Sequence, residues 1–371
     1  MARKDIFDEP FDDATKTKLK IYEEYLKVWL PTFLKTSYKK PIKIFDLVAG
    51  AGYDIERTEG SPILTLRTIN LFRGPINNEK TRINLFLNEL NNEYYQQLKV
   101  NVENYLDDYK LRGIVKVDYQ NTKFHKCLHI HEDELSGSYN LIFADQNGFK
   151  EITEEVFQKL ITLGSTDFMF FISSSHIHRF AESEEFKKYH PKFDTELIKQ
   201  TDRKRVHEVI CKEYEKYIPK EIDRYALFPF SLLKNDNNNV YGLIFATKHP
   251  LGADKFLRVA WSLNNLNGTA NYDIEKEFNK DQVDLFDGPL PSKIESFQMN
   301  LREKVLKEDI KNNVQAYLYC LNSGHISSHA DDELKNMKKE RLITFDSKSA
   351  LVTYDQVVKK KRLVEYKVIV G

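Results

Sequence analysis

Hydrophobic and polar positions along this chain of 371 residues first follow a helical period and then break into short apolar runs. In residues 14–36, apolar side chains recur at steps of three and four, which predicts one amphipathic helix. Strands that alternate with helices predict a parallel sheet with right-handed crossovers. Five short apolar runs, separated by helical spacing or polar breaks, predict such strands at 42–48, 83–87, 114–117, 139–144 and 168–172.

The pattern changes after the fifth run. Residues 174–222 are charged and mostly helical in spacing, and two longer apolar runs, 225–233 and 240–247, then flank a polar turn at 234–239. Two such runs around a polar turn predict an antiparallel hairpin. A parallel sheet that finishes with a hairpin is typical of S-adenosylmethionine (SAM) methyltransferases, whereas a plain NAD-binding Rossmann domain continues with parallel strands.

These patterns predict an α/β fold with a SAM-methyltransferase-like, Rossmann-like sheet over residues 41–262. The helical stretch at 174–222 is expected to be an insertion in this domain, and the helix within 1–40 is expected to pack on its core. Residues 263–299 are rich in Asn, Asp, Gly and Pro, which indicates a linker or a loop-rich segment.

A second pattern begins near residue 300. Helical spacing at 312–321 and 328–339 is followed by short apolar runs at 342–344 and 350–352 around a turn. Two helices and a small hairpin in this order predict a winged-helix-like domain over 300–371. The basic run Lys359-Lys360-Lys361-Arg362 is a candidate contact for DNA or RNA, although such a run is also found as a solvated turn and winged helices also mediate protein association.

Composition narrows the class of protein. Lysine plus arginine and aspartate plus glutamate both number 56, so the net charge is zero, whereas a strong generic nucleic-acid binder is usually basic. The three cysteines have no metal or disulfide spacing, which fits a reducing cytoplasm, and no metal site is predicted. No apolar run approaches the roughly 20 residues of a membrane span. We therefore expect a cytoplasmic protein without membrane association.

The first predicted strand leads into a glycine-rich turn. It ends at Asp46, and Gly50 and Gly52 follow in the order D-x-x-A-G-x-G before a helix start at Ser61-Pro62. Glycines let the backbone approach a ligand closely, and this order is nearer to motif I of SAM methyltransferases than to the G-x-G-x-x-G of NAD enzymes. A tight strand-to-helix turn without any ligand has the same sequence features.

Acidic residues close four of the predicted strands. In an open α/β sheet, ligands bind beyond the carboxyl ends of the strands, where the strand order reverses. We therefore predict that Asp46, with Gly50 and Gly52, lines the methionine end of SAM. Glu89 is expected at the ribose and Asp118 at the adenine, while Asp145 faces the methyl acceptor. The loop 53–59 after the glycines either closes over a ligand or is an idle surface excursion.

The fourth strand continues as Asp145-Gln146-Asn147-Gly148-Phe149. Methyltransferases that act on amines of nucleic-acid bases carry Asp or Asn, two prolines and an aromatic residue here, and the aromatic ring stacks on the flipped base. This chain keeps the acid and the aromatic residue but lacks both prolines. Asp145 is predicted to orient the acceptor or act as general base, and Phe149 to stack on it.

The order of these motifs resembles the three-Cys-motif partner (TcmP) family over most of residues 15–262. This resemblance implies a SAM-methyltransferase-like fold, a radical-SAM-like partner protein with a three-cysteine motif, and a bacterial context of mobile elements or phage defence. Val48 and Ala51 depart from the family, which has Phe and Pro there. The matching segments are YEEYLKVW at 22–29, FDLVAGAG at 45–52, GSPI at 60–63, NE at 88–89, LIFADQNG at 141–148, FISS at 171–174, YGLIF at 241–245 and HPLG at 249–252.

Two functions follow as hypotheses. The first is a SAM-binding, methyltransferase-like protein that acts on nucleic acid, with the C-terminal domain positioning the target. The second is a non-catalytic adaptor or sensor that uses the same fold to bind a partner, and the missing prolines after Asp145 favour it. A hydrolase or nuclease ranks third because no cluster of metal ligands has a usable spacing.

Overall fold

The chain folds into two compact units, Met1–Lys248 and His249–Gly371. The computed structural model describes residues 9–146, 148–222, 225–234, 239–272, 274 and 291–369. The tip of the predicted turn, at 235–238, and residues 273 and 275–290 of the predicted linker lie outside these residues. The boundary between the units falls before the helix Pro250–Leu263, which was predicted to belong to the first domain, because this helix packs against the later helix Asn313–Asn322.

A seven-stranded sheet forms the centre of the first unit. Its spatial order is β3-β2-β1-β4-β5-β7-β6, in which β1 to β5 are parallel and β7 runs antiparallel to β5 and β6. The predicted fold is confirmed, since this is a parallel sheet that finishes with a hairpin. The strands are β1 (Ile42–Asp46), β2 (Ile83–Asn88), β3 (Val115–Gln120), β4 (Tyr139–Ala144), β5 (Ser165–Ile172), β6 (Ala226–Lys234) and β7 (Asn239–Thr247).

Helices connect the parallel strands, and four short helices fill the predicted insertion between β5 and β6. The strand order reverses between β1 and β4, so this pair defines the switch point at which ligands bind in open α/β sheets. The helices of the first unit are α1 (Asp13–Leu34), α2 (Ser61–Leu71), α3 (Arg73–Asn78), α4 (Asn92–Asp108), α5 (Phe124–Ile130), α6 (Glu132–Leu135), α7 (Glu154–Thr162), α8 (Ser174–Phe180), α9 (Glu184–Tyr189), α10 (Thr195–Gln200) and α11 (Val206–Glu215).

The N-terminal helix α1 is anchored on late strands of the sheet. The hydroxyl of Tyr25 donates to Asp167 Oδ2 of β5 at 2.8 Å, and Thr247 of β7 donates to the other oxygen of the same carboxylate at 2.5 Å. The ring of Tyr25 also lies 4.7 Å from that of Phe245, centroid to centroid. Because these contacts are buried, they fix which residues of α1 face the carboxyl edge of the sheet.

Helices dominate the second unit. Its elements are α12 (Pro250–Leu263), α13 (Lys293–Leu306), α14 (Asn313–Asn322), α15 (Ser327–Lys339), β8 (Ile343–Thr344), a π-helical turn (Asp355–Lys359) and β9 (Lys367–Val368). The two helices predicted at 312–321 and 328–339 correspond to α14 and α15. In the basic run, Lys360 pairs with Asp355 at 2.6 Å.

The hairpin predicted between 342–344 and 350–352 is wrong, because β8 pairs with β9 instead. Residues 350–352 run without regular structure, and Ala350 and Val352 are buried in the core of this unit. A side chain supplies a hydrogen bond to the backbone there: the Asn313 amide donates to the carbonyl of Leu351 at 3.1 Å. The winged-helix-like assignment therefore stays a prediction.

No helix in the described ranges is both long enough and apolar enough to cross a membrane.

Candidate cofactor and acceptor site

The candidate site lies at the carboxyl ends of β1, β2 and β4, beside the switch point. Asp46 is the last residue of β1, and the chain beyond it stays bonded to both neighbouring strands. The amide of Leu47 donates to Phe143 of β4 at 2.9 Å, and that of Ala49 to Asn88 of β2 at 2.8 Å. The glycine turn is therefore held between the two strands that diverge at the switch point.

Gly50 and Gly52 both adopt the left-handed conformation that favours glycine, with φ of 64° and 89°. Two side chains hold the turn between them. Glu89 accepts the amide proton of Gly50 at 2.9 Å, and Asn101 of α4 donates to the carbonyl of Ala51 at 2.8 Å. The structure thus brings three of the predicted cofactor residues together, Gly50, Gly52 and Glu89.

Glu89 follows the last residue of β2 and is buried. Its second carboxylate oxygen accepts the amide proton of Asn91 at 2.7 Å. An ionised carboxylate can accept several hydrogen bonds, from hydroxyl groups as well as from amides. The neighbouring Leu90 is 62% exposed and is a further candidate site residue that was not predicted. Its position in the sequence indicates this role, because an apolar residue directly after a strand-end acid offers a flat ligand an apolar face.

Asp46 is fully buried, and neither of its carboxylate oxygens has a hydrogen-bond partner among the described residues. Burial raises the pKa of Asp46 to about 7, and the nearby charges of Asp145 and Glu89 act in the same direction. Ser61 and the amide of Val48 lie close enough to offset part of this rise, although neither makes a hydrogen bond of normal geometry. A buried carboxylate without a hydrogen-bond partner, close to two other acids, is expected to stabilise a bound cationic group.

Changing Asp46→Asn is expected to stabilise the ligand-free protein by on the order of 3 kcal/mol at pH 8. The native pKa lies above the unfolded one, so ionisation weakens the fold as pH rises from about 4 through 7. The neutral amide avoids this loss, and the gain should shrink at pH 5. Urea unfolding at both pH values measures it. A variant less stable than the parent at pH 8 would show that the native fold requires the charge.

Asp145 at the end of β4 forms an ion pair with Lys18 of α1. The side chain of Lys18 is only 4% exposed and that of Asp145 is 19% exposed. The lysine nitrogen also lies 4.6 Å from the ring centroid of Phe171 on β5. Lys18 was not among the predicted site residues. Its signal was its position next to Leu19 and one turn before Tyr22, on the apolar face of the amphipathic helix.

Phe149 does not reach the candidate acceptor position. Its side chain is 2% exposed, and its ring lies 5.0 Å from that of Phe186 and 6.0 Å from that of His190. His190 Nε2 donates to the carbonyl of Phe149 at 2.8 Å. The insertion between β5 and β6 supplies this aromatic cluster, and a ring enclosed within it offers no face for stacking on a substrate.

Asp118 also lies elsewhere than predicted. The strand β3 continues to Gln120, so Asp118 lies inside it, opposite Phe86 of β2. The Asp118 carboxylate accepts a hydrogen bond from the side-chain amide of Gln120 at 3.0 Å. The alternation of polar and aromatic residues after Val117 prolongs the strand. Asn121 occupies the actual strand end and donates to the carbonyl of Glu89 at 2.7 Å.

The loop 53–59 has a fixed, hydrogen-bonded conformation. Tyr53 and Glu59 form a β-bridge that closes it, and Asp54 accepts amide protons from Thr58 at 2.7 Å and from Phe11 at 2.8 Å. Burial works to raise the pKa of Asp54, but these donors outweigh it and hold the pKa below its usual value. The loop is thus tied to the segment that precedes α1.

Within the described residues, no three His, Cys, Asp or Glu side chains form a group that could hold a metal ion.

No family model and no curated protein sequence matches the chain. Among solved structures, a Legionella pneumophila protein is similar at 13% identity over 70% of this chain and 93% of its own, with a TM-score of 0.41. An O-methyltransferase from Bacillus cereus in complex with S-adenosylhomocysteine (SAH) is 13% identical over 65% of this chain and 92% of its own (TM-score 0.34). The plantazolicin methyltransferase BpumL in complex with SAH is 13% identical over 64% and 85% (TM-score 0.33).

At these identities and TM-scores, the fold class rests on the strand order of the sheet. Five parallel strands with a switch between β1 and β4, closed by an antiparallel hairpin, define the SAM-methyltransferase fold.

Proposed function

We propose that this chain binds SAM at the carboxyl ends of β1 and β2 and acts as a methyltransferase. The observation that carries the proposal is the unpartnered, buried carboxylate of Asp46 beside the glycine turn that Glu89 holds. Asp46 would face the cationic amine of the methionine part, and Gly50 and Gly52 would allow close approach. Glu89 would accept the ribose hydroxyls, and Leu90 would pack on the adenine.

The bound cofactor supplies an electrophilic methyl group. Asp145 would then meet the methyl acceptor, because it ends the strand on the other side of the switch point and part of its carboxylate is exposed. Its role is to orient the acceptor and to take its proton. Phe149 has no part in this step, since its ring lies inside the aromatic cluster.

Calorimetric titration with SAH tests the cofactor site. We expect micromolar binding that weakens about a hundredfold in Glu89→Ala, because two hydrogen bonds to a charged acceptor contribute about 1.5 kcal/mol each. Glu155→Ala removes an exposed carboxylate of α7 and should leave the affinity unchanged. Glu89→Gln, which keeps an acceptor for the Gly50 amide, should lie between them. Absence of binding to a well-folded sample would overturn the proposal.

For the acceptor we propose a nucleic acid. Two features support it: the interpretation of α14 and α15 as helices of a winged-helix-like domain, and the basic run 359–362 later in the same unit. The resemblance to the TcmP family adds a radical-SAM-like three-Cys-motif protein as the proposed partner and phage defence or a mobile element as the proposed context.

The second candidate function is a non-catalytic adaptor that uses the fold to bind this partner. It is favoured by the ion pair that engages Asp145 and by the enclosure of Phe149 in the core. A stable complex with the three-Cys-motif protein, formed by a chain that does not bind SAH, would establish the adaptor in place of the enzyme.

A further inference from the structure

The surroundings of Asp145 bear on the chemical nature of the methyl acceptor. An exocyclic base amine needs acceptors for its two N–H groups and a ring to stack on the base. Gln146 is buried, and its side-chain oxygen already accepts the amide protons of Glu151 and Ile152 at 3.1 and 3.3 Å. The carbonyl of Phe149 already accepts from His190. The side-chain oxygen of Gln146 and the carbonyl of Phe149 are therefore engaged in holding this loop.

A lysine stands beside the acceptor-facing acid instead. Lys18 is held there because two later residues fix α1: Tyr22 bonds with Thr65 of α2 at 2.7 Å, and Tyr25 bonds with Asp167. The ring of Phe171 covers the lysine nitrogen, and that ring stacks on Tyr241 with planes 9° apart. The ammonium group is thus a fixed charge of the site.

A fixed positive charge discriminates between acceptor atoms. An amine becomes cationic as it accepts a methyl group, so a neighbouring ammonium opposes the reaction. A hydroxyl becomes anionic as it loses its proton, so the same ammonium favours it, and charges a few Å apart in a partly buried site interact strongly. Asp46 does not cancel this effect, since it lies at the end of β1, where the proposed cofactor carries its own cation.

We propose that the methyl acceptor is a hydroxyl oxygen and that Lys18 is the residue that selects it. On a nucleic acid, this acceptor is a ribose hydroxyl of RNA. The inference rests on the proposed methyltransferase function. Asp145 takes the hydroxyl proton while the oxygen–methyl bond forms and the sulfur–methyl bond breaks, which leaves a neutral thioether. Lys18 thus faces a negative charge that lies first on Asp145, then develops on the acceptor oxygen as its proton leaves, and is neutralised when the methyl group is transferred.

Two cofactor analogues test the effect of the Lys18 charge in the absence of a methyl acceptor. Sinefungin carries a cationic amine where SAM carries its methyl group, and SAH carries nothing there. We expect the parent protein to bind sinefungin no more tightly than SAH. Lys18→Met should shift the ratio of the two dissociation constants about tenfold towards sinefungin, because an ammonium next to the amine is removed. Calorimetric titration of both compounds measures the ratio.

Three variants make the comparison specific. Lys18→Arg keeps the charge and should keep the ratio, Lys20→Met removes an exposed lysine of the same helix and should also keep it, and Lys18→Gln replaces Lys18→Met if the latter misfolds. An unchanged ratio on loss of the Lys18 charge overturns the inference, as does a parent protein that prefers sinefungin tenfold or more. Failure of the parent to bind SAH refutes the proposed function instead.

Product analysis gives a second measurement. Total bacterial RNA is incubated with the protein and methyl-labelled SAM and is then digested to nucleosides. Label in ribose-methylated nucleosides supports the inference, and label in base-methylated nucleosides overturns it.

Discussion

An asparagine in place of Asp145 is expected to slow methyl transfer about a thousandfold, the scale typical of a lost general base. The carboxamide fills the same space as the carboxylate, but it cannot take the proton from the methyl acceptor. Cofactor affinity should change little, because the glycine turn is held by Glu89 and Asn101 and has no bond to Asp145 among those described. Transfer of labelled methyl to total bacterial RNA, together with SAH titration, measures both quantities.

Asp118→Asn is the matched control for this change. It alters the same functional group on β3, which β2 and β1 separate from β4, and it should leave transfer and SAH affinity as they are because Asp118 lies inside its strand. An Asp145→Asn variant that retains more than a tenth of the parent rate would show that this carboxylate is not the proton acceptor. Urea unfolding of the variant separates such an effect from destabilisation, since Lys18 loses its charged partner.

The second large effect is expected in the core. Gly242 of β7 lies directly against the ring of His207, and a methyl group at this position would stand 2.1 Å from two atoms of that ring. The ring cannot retreat, because His207 Nδ1 accepts from Ser174 at 2.8 Å and Nε2 donates to the carbonyl of Leu243 at 3.0 Å. Burial lowers the pKa of His207 to about 4, which keeps the ring neutral in this arrangement.

Gly242→Ala should therefore destabilise the first unit by about 4 kcal/mol, since overpacking costs about 1–3 kcal/mol and an unsatisfied buried hydroxyl at Ser174 adds a comparable amount. Gly164→Ala is the control, because a methyl group there meets nothing within 4 Å. Denaturant unfolding compares the two. The double variant Gly242→Ala with His207→Ala should recover part of the loss. A loss below about 1 kcal/mol in Gly242→Ala would contradict this account of the packing.

The sheet could be predicted from the sequence because its strands are continuous apolar runs. A strand buried on both faces is apolar along its whole length, as in Tyr139–Ala144, and this signal locates it without knowledge of its neighbours. The strand β3 shows where the signal fails. Its second half alternates Asp118 and Gln120 with Tyr119, because it is only partly buried, and the predicted end came too early.

The residues of the candidate site likewise fall into those that the sequence could predict and those that it could not. Asp46, Gly50, Gly52 and Glu89 were predictable, because each lies at or just after a strand end and local sequence fixes their positions. Lys18 was not identified, since its pairing with Asp145 links residues 127 positions apart. The burial of Phe149 also depended on distant residues, namely the aromatic side chains that the insertion brings against it. Local patterns carry no information about such partners.

The anchoring of α1 has a consequence for synthesis of the protein. This helix leaves the ribosome well before the strands on which it packs: Tyr25 contacts Asp167 of β5, 142 residues later in the chain, and Phe245 of β7, which follows later still. At roughly 5–20 residues per second, its apolar face waits on the order of ten seconds or more for these strands. A nascent chain of this protein therefore completes its candidate site only after β7 has emerged, and until then it is a natural client for chaperones that shield apolar helices.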